Sequence, residues 1–447
     1  MPHSKGRIAV VFGFGRKAEV DDDDEEEEIE LVLFQGALNG QEANLKENQK
    51  LVQAGLNAAK ELVTDGLSRR AETIRVDPKG ERSQVAFVVD GMPYAGGKLA
   101  KPQGLAITQM LKLLSGLDIK VRNQPQVGGI KAQWKEQPWE VIVQTKPIEG
   151  GEQLTIKLRN LKEKMITPDD LGMPEALRTR IREWTSQHKG LSLAVGTPNT
   201  GVTTTAFGML RGVDCYLYQI HAIRSLGTRE VINVAQFNGN PGDDLETTLM
   251  RVVRVESDVA FVDPVTTPEI AKTVFSMQEQ ITILSEMPAK DCATAILQLV
   301  QWVGDPNIVA NGLMGVINGK LIRKLCPDCK QAYRPNPKLI AKVGLPSDTK
   351  TLYRKPVATE NEKGEVEEPP PCEKCNDTGY FGRTGIYEYI EMTPAIKELV
   401  ISGADANAIR TQARTDGMTV FSKDALRHVA KGITSLEELQ RVFKPAP

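Results

Sequence analysis

The chain has 447 residues, enough for two to four domains, with 40% hydrophobic and 26% charged residues, which excludes a wholly disordered polypeptide. Fifty-six Lys and Arg face 58 Asp and Glu, a formal charge of −2, so no global basic field invites non-specific nucleic-acid binding. Aromatic residues make up 5%, so the cores must be built from Val, Leu, Ile and Ala.

The opening stretch, MPHSKGRIAVVFGFGRK, carries a short apolar run without a small-residue cleavage site. It reads as neither a secretory signal nor, at this length, a membrane span. A cytoplasmic location is the expectation. Its GFGRK run leads into acids rather than a helix, so it is not a dinucleotide fingerprint. Residues 21–28 are eight consecutive acids, read as a solvated spacer. Apolar residues at helical spacing over 42–66 (Leu45, Leu51, Val52, Leu56, Ala59, Leu62, Val63) predict an amphipathic helix.

From 71 to 160 the rhythm is mixed. ETIRVDP, QVAFVVDG, WEVIVQTKP and EQLTIKLRN alternate as strands, and LAITQMLKLLSG repeats at helical spacing and closes on Gly116. This predicts an α+β domain. Residues 168–187 read as a connection and a helix. After Gly190, short apolar strands alternate with helices: LSLAV at 191–195, EVINVAQF at 230–237, DVAFVD at 258–263 and ITILSE at 281–286. That alternation predicts a mainly parallel sheet covered on both faces. The Pro-rich, charged stretch 355–371 is a loop, and 392–446 is helical, ending in SLEELQRVF.

Two places carry chemistry. LSLAV runs into Gly196-Thr-Pro-Asn-Thr-Gly201-Val202-Thr203 and then a helix, the layout of a phosphate-binding loop. In such a loop a Lys after the second Gly reaches the phosphates and a Ser or Thr binds Mg²⁺. Here the Lys position is Val202, and Thr203 keeps the hydroxyl. The second place is Cys326-Pro-Asp-Cys329 and, after 42 intervening residues, Cys372-Glu-Lys-Cys375. Two CxxC turns can close a tetrahedral four-thiolate shell around one ion, which leaves no open position and makes the role structural. Four such cysteines also suit an iron–sulfur cluster. Lys320, Arg323 and Lys324 before the first pair leave a zinc-ribbon nucleic-acid reader as an alternative for this region, although aromatic interleaving is sparse. His221 and His428 have no partner at metal spacing, and Cys215 and Cys292 read as small buried apolar residues.

The chain resembles the secretion ATPase family that powers type II secretion and type IV pilus assembly. The likeness runs from about 65 to 445. It is carried by Gly116-Leu-Asp-Ile119 with Pro125-Gln126, the 191–205 strand and loop, LMGVINGKLIRKLCPDC at 313–329, CEKCNDTGYFGRTGIYE at 372–388 and GITSLEEL at 432–439. It implies a segment and helix over 1–65, a PAS-like α+β domain over 66–165 and a RecA-like core over 166–325. A zinc module over 326–391 and a helical region over 392–447 would follow. It also implies a ring of like or mixed family ATPases docked on an inner-membrane platform protein, with no nucleic acid.

The departures from the family fall where its members carry chemistry. The Lys is Val202. The matched stretch for the acidic motif, INVAQFNGN at 232–240, has no carboxylate. The Glu after the Walker B strand is Pro264, with Asp263 one place away, and the His of the following motif is Pro288. Arginines of the N-terminal domain become Gly129 and Gln153. The expectation is an impaired ATPase, with weak Mg²⁺–nucleotide binding at Gly196, Gly201, Val202 and Thr203, and structural zinc on the four cysteines. A divergent working ATPase that uses Asp263 is the alternative.

Overall fold

The computed structural model describes residues 30–162, 167–227, 229, 231–360 and 366–443. The acidic run at 21–28 lies outside them. The chain divides into two compact units, 1–164 and 165–447.

Among the described residues, the first unit is a seven-stranded antiparallel sheet with two helices. Its strands are β1 (Leu33–Ala37), β2 (Thr73–Lys79), β3 (Arg82–Val89), β4 (Met92–Ala100), β5 (Gln126–Trp134), β6 (Gln137–Ile148) and β7 (Gly151–Asn160), in the order β1-β5-β6-β7-β2-β3-β4. Each predicted strand is present, because alternation of the kind seen in Val85, Phe87 and Val89 buries one face and wets the other. The helices α1 (Gln49–Ser68) and α2 (Lys101–Leu114) pack on each other and supply Ala59, Leu62, Val63, Ile107, Met110 and Leu111 to the same core. Helix α1 is thus part of this unit's core rather than a segment leading into it. At the base of α2, the fully buried Lys112 pairs with Glu152 at 2.8 Å and donates to the Val121 carbonyl at 2.5 Å.

The second unit opens with α3 (Glu175–Thr185) and strand β8 (Leu191–Gly196), every residue of which is buried. Then follow α4 (Val202–Gly212), β9 (Ile220–Ala222), β10 (Val234–Gln236), α5 (Leu245–Arg254), β11 (Val259–Phe261), α6 (Pro268–Ser276), β12 (Thr282–Pro288), α7 (Cys292–Val303), α8 (Pro306–Gly312) and β13 (Leu313–Leu325). Strand β14 (Gln331–Tyr333) pairs with β15 (Leu352–Arg354) across the intervening α9 (Pro337–Val343), and β16 (Thr359–Glu360) with β17 (Val366–Glu367), before β18 (Tyr380–Glu391). Helices α10 (Pro394–Ile401), α11 (Ala406–Thr415), α12 (Phe421–Ala430) and α13 (Leu436–Phe443) end the unit.

The main sheet runs β10-β9-β11-β12-β8-β13-β18. All neighbours are parallel except the last pair. The mainly parallel expectation therefore holds, with two differences. Strand β18, placed by sequence in the cysteine module, is the edge of this sheet, paired with β13 from Gly315 opposite Glu391 to Leu325 opposite Tyr380. The second core strand is β9 at 220–222, and 230–237 contributes only the short edge strand β10. Length is the reason for the difference: β9 is three residues long, so no periodicity can announce it.

Candidate functional site

The loop after β8 has the geometry its sequence requires. Gly201 caps α4 with φ of 87°, a left-handed conformation in which a Cβ is strained. A Cβ on Gly196 would meet the Thr200 hydroxyl at 2.6 Å and Val202 Cγ2 at 2.7 Å, so the chain can fold this tightly only with glycine there. The loop thus sets the first turn of α4 at the end of β8, the layout in which anion-binding loops present backbone N–H groups. Val202 is half-buried and packs against the hydrophobic core, so the position after the second Gly supplies no cation.

The Thr203 hydroxyl is engaged from the neighbouring strand. It donates to Glu286 Oε1 at 3.0 Å, and Arg224 Nη2 reaches the same oxygen at 3.1 Å. Glu286 lies on β12, beside β8, and is 8% exposed. Arg224 follows β9, with its guanidinium 5.8 Å from the Phe207 ring and 5.6 Å from the Phe261 ring. The pair is incompletely satisfied: Glu286 Oε2 and Arg224 Nη1 are buried without a hydrogen-bond partner. Neither residue was singled out from sequence. Glu286 sits in the stretch compared for its lost His, and Arg224 follows a strand too short to read.

The other predicted positions fall as follows. Asp263 is exposed beyond β11, and its backbone carbonyl accepts from the Ser285 hydroxyl at 2.8 Å. Pro288 pairs in register with Gly196, so the end of β12 stands beside the start of the loop. In the first unit, Gly129 lies under Leu38 and Ile142, and the Gln153 amide donates to Asp77 at 2.6 Å. Cys292 is fully buried, and burial pushes its thiol up, while Cys215 is half-buried. His428 is buried, and burial with Arg427 and Lys431 brings it down to about 4. His221 is also lowered by burial.

The four cysteines of the two CxxC turns converge. All four sulfurs lie within 4.8 Å of one another, with Cys326 Sγ 3.8 Å from Cys372 Sγ and Cys329 Sγ 3.7 Å from Cys375 Sγ. Thiolates about 2.3 Å from a common centre stand about 3.8 Å apart in a tetrahedron, so the set has the size of a metal shell. None is in a disulfide. Strand β13 delivers Cys326, whose N–H donates to the Gly379 carbonyl at 3.0 Å. The second turn is shaped by Asp377, which accepts from the Cys372 N–H at 2.6 Å, and by Asn376 and Asp377 in left-handed conformation. Lys374 and Asp328 link the two turns at 2.9 Å. Burial pushes the Cys329 thiol well up. At Cys372 burial is outweighed by hydrogen bonds from Cys375 and the other thiols, which bring it down. These residues could hold a metal ion, which would keep all four sulfurs as thiolates.

The C-terminal segment braces this centre. The Leu325 N–H donates to the Ile433 carbonyl at 2.8 Å, Thr434 Oγ1 donates to the Arg323 carbonyl at 2.7 Å, and Lys330 Nζ donates to the Gly432 carbonyl at 2.9 Å. Glu438, fully buried, holds Arg323 through two guanidinium bonds and its backbone N–H.

Comparison with known proteins gives a consistent picture. The family described as "Type II/IV secretion system protein" matches residues 48–441. The type IV pilus assembly ATPase PilB of Thermus thermophilus is 25% identical over 385 residues, which cover 85% of this chain and 42% of that protein. The type II secretion system protein HxcR of Pseudomonas aeruginosa is 25% identical over 390 residues, covering 86% of this chain and 76% of that one. This chain therefore spans less than half of the first relative and about three quarters of the second. Among solved structures, the ATPase DotB of Legionella pneumophila superposes with a TM-score of 0.52 at 12% identity, covering 86% of this chain and 94% of that one. That likeness concerns the fold, an ATPase-type α/β core. Among the described residues no helix is long and apolar enough to cross a membrane. With the family match spanning most of its length, the chain belongs to the type II/IV secretion system protein family.

Proposed function

We propose that this protein is a catalytically impaired homologue of the secretion and pilus assembly ATPases. It acts as a structural or regulatory component of a type II secretion or type IV pilus-like machine. The single observation that carries the reading is Val202, half-buried at the position where a phosphate-binding loop needs its cation, on a loop whose backbone frame is intact. Phosphoryl transfer is catalysed by positioning and charge neutralisation, and loss of one such element costs about two or more powers of ten in rate. Pro264 and Pro288 offer neither a metal ligand nor a group to orient water. Backbone N–H groups at the start of α4 still suit weak phosphate binding. In this reading nucleotide binding at Gly196, Gly201, Val202 and Thr203 outlives hydrolysis.

The four cysteines hold structural zinc, which fixes the 326–379 module to the core. The protein works at the cytoplasmic face of the inner membrane, in a ring with copies of itself or with family ATPases, against a membrane platform protein. The test is phosphate release with Mg²⁺ and ATP by the full chain and by Val202→Lys. Neither is expected to exceed background, because the Lys alone restores neither the acid nor the His. Turnover by the unmodified protein that disappears in Thr203→Ala would establish a divergent working ATPase instead.

A further inference from the structure

We propose that Glu286 is a built-in anion of the phosphate loop: its carboxylate engages the Thr203 hydroxyl and the Arg224 guanidinium, sets negative charge beside the start of α4, and so limits the affinity of the site for phosphate-bearing ligands. The inference deepens the reading above and rests on it, since it concerns the regulation of the same loop.

Three observations carry it. First, Glu286 is placed by β12 against the first turn of α4. Its Oε1 accepts from the Thr203 hydroxyl at 3.0 Å and from the Arg224 guanidinium at 3.1 Å. A carboxylate there puts negative charge where the N–H groups of the loop and the end of the helix favour an anion. Second, the position is buried, with Glu286 8% exposed, so water screens its charge from an incoming phosphate less than it would at the surface. Like charges brought together in such a place oppose binding.

Third, the pair is incompletely satisfied. Arg224 reaches the carboxylate through Nη2, while its buried Nη1 and Glu286 Oε2 are left without partners. A guanidinium is built to bind an oxyanion through two nitrogens at once, and a tetrahedral phosphate offers oxygens for both. Arg224 therefore has donor capacity that Glu286 does not use. The ring faces of Phe207 and Phe261 hold the guanidinium beside the loop, ready for an oxyanion if the carboxylate withdraws.

The experiment measures pyrophosphate and ADP binding calorimetrically, in magnesium-free buffer, with the full chain and its Glu286→Gln, Glu286→Thr and Glu286→Gln/Arg224→Gln variants. Removing the carboxylate charge is expected to tighten pyrophosphate binding by about tenfold or more. The gain should vanish in the double variant, which lacks the guanidinium. Pyrophosphate should also raise the melting temperature of Glu286→Gln more than that of the unmodified protein. This readout remains usable in Glu286→Thr if the Gln variant is recovered poorly. Unchanged or weaker pyrophosphate binding in both single variants overturns the proposal. So does a gain that persists without Arg224. A further arm with Mg²⁺ and ADP separates the opposite role: if affinity then falls in Glu286→Gln, the carboxylate is a metal ligand and the proposal fails. Phosphate release is followed in the same samples. Turnover by the unmodified protein would refute the impaired-ATPase reading while leaving the affinity comparison to stand or fall by itself.

Discussion

Glu438 is the residue by which the C-terminal helix holds the cysteine module, and its removal gives a sharp test. Its carboxylate accepts five hydrogen bonds: the Arg323 N–H at 3.0 Å, Arg323 Nε at 3.0 Å and Nη2 at 2.7 Å, and Arg441 Nε at 2.9 Å and Nη2 at 2.6 Å. Glu438 is 0% exposed and the Arg323 side chain 12%, so Glu438→Ala strands a buried cation three residues before Cys326. Breaking a buried pair in this way costs about 3–5 kcal/mol. Arg441 is 38% exposed and regains water, so it adds little. Glu438→Gln keeps the shape and part of the bonding and should cost about 1–3 kcal/mol.

The pH dependence of the same group has a definite sign. Burial pushes the Glu438 carboxyl up, but hydrogen bonds from Arg441 and Arg323 outweigh it and hold the group below the usual glutamate range. The stabilisation is therefore present above about pH 4.3, the unfolded value, and is lost as pH falls through the lower folded one. The difference between the unmodified protein and Glu438→Gln should narrow in that window. The assay is calorimetric unfolding of the second unit's transition, with hydrogen exchange across α13 and residues 326–379. A loss under about 1 kcal/mol for Glu438→Ala, with unchanged exchange in the cysteine module, would refute the bracing argument.

Two further outcomes follow from the cysteines and from His428. Metal analysis of the purified chain should give about one zinc per molecule, and Cys326→Ser/Cys372→Ser should release it and raise hydrogen exchange over 326–379; full zinc retention in that variant would exclude the four-cysteine centre. His428 stays neutral in the fold down to about 4, so the unfolded chain, titrating near 6.5, takes up the proton first and stability falls as pH drops from about 6.5 to about 4. That difference corresponds to about 3 kcal/mol at most, and His428→Gln should flatten the pH dependence of the melting temperature across this window; an unaltered slope would show that His428 does not titrate on unfolding.

Much of this molecule is written locally. Alternating residues such as those of β3 and the glycine frame of 196–201 dictate their own backbone, because burial of one face and left-handed φ are properties of a few consecutive residues. The CxxC spacing likewise fixes a pair of thiols per turn, and two such pairs suffice to anticipate the four-cysteine cluster that the fold assembles. Tertiary structure decided the rest. β18 reads as part of the cysteine module because its pairing partner, β13, is distant in sequence, and only sheet formation puts it in the core. The Thr203–Glu286–Arg224 cluster joins residues separated by 83 and 62 positions, and no local period connects them. Glu438 and Arg323, 115 positions apart, are the same case. Periodicity reports which face of an element is apolar; which charges share a buried place is set by the packing of strands and helices far apart along the chain, where low solvent access makes each pairing matter.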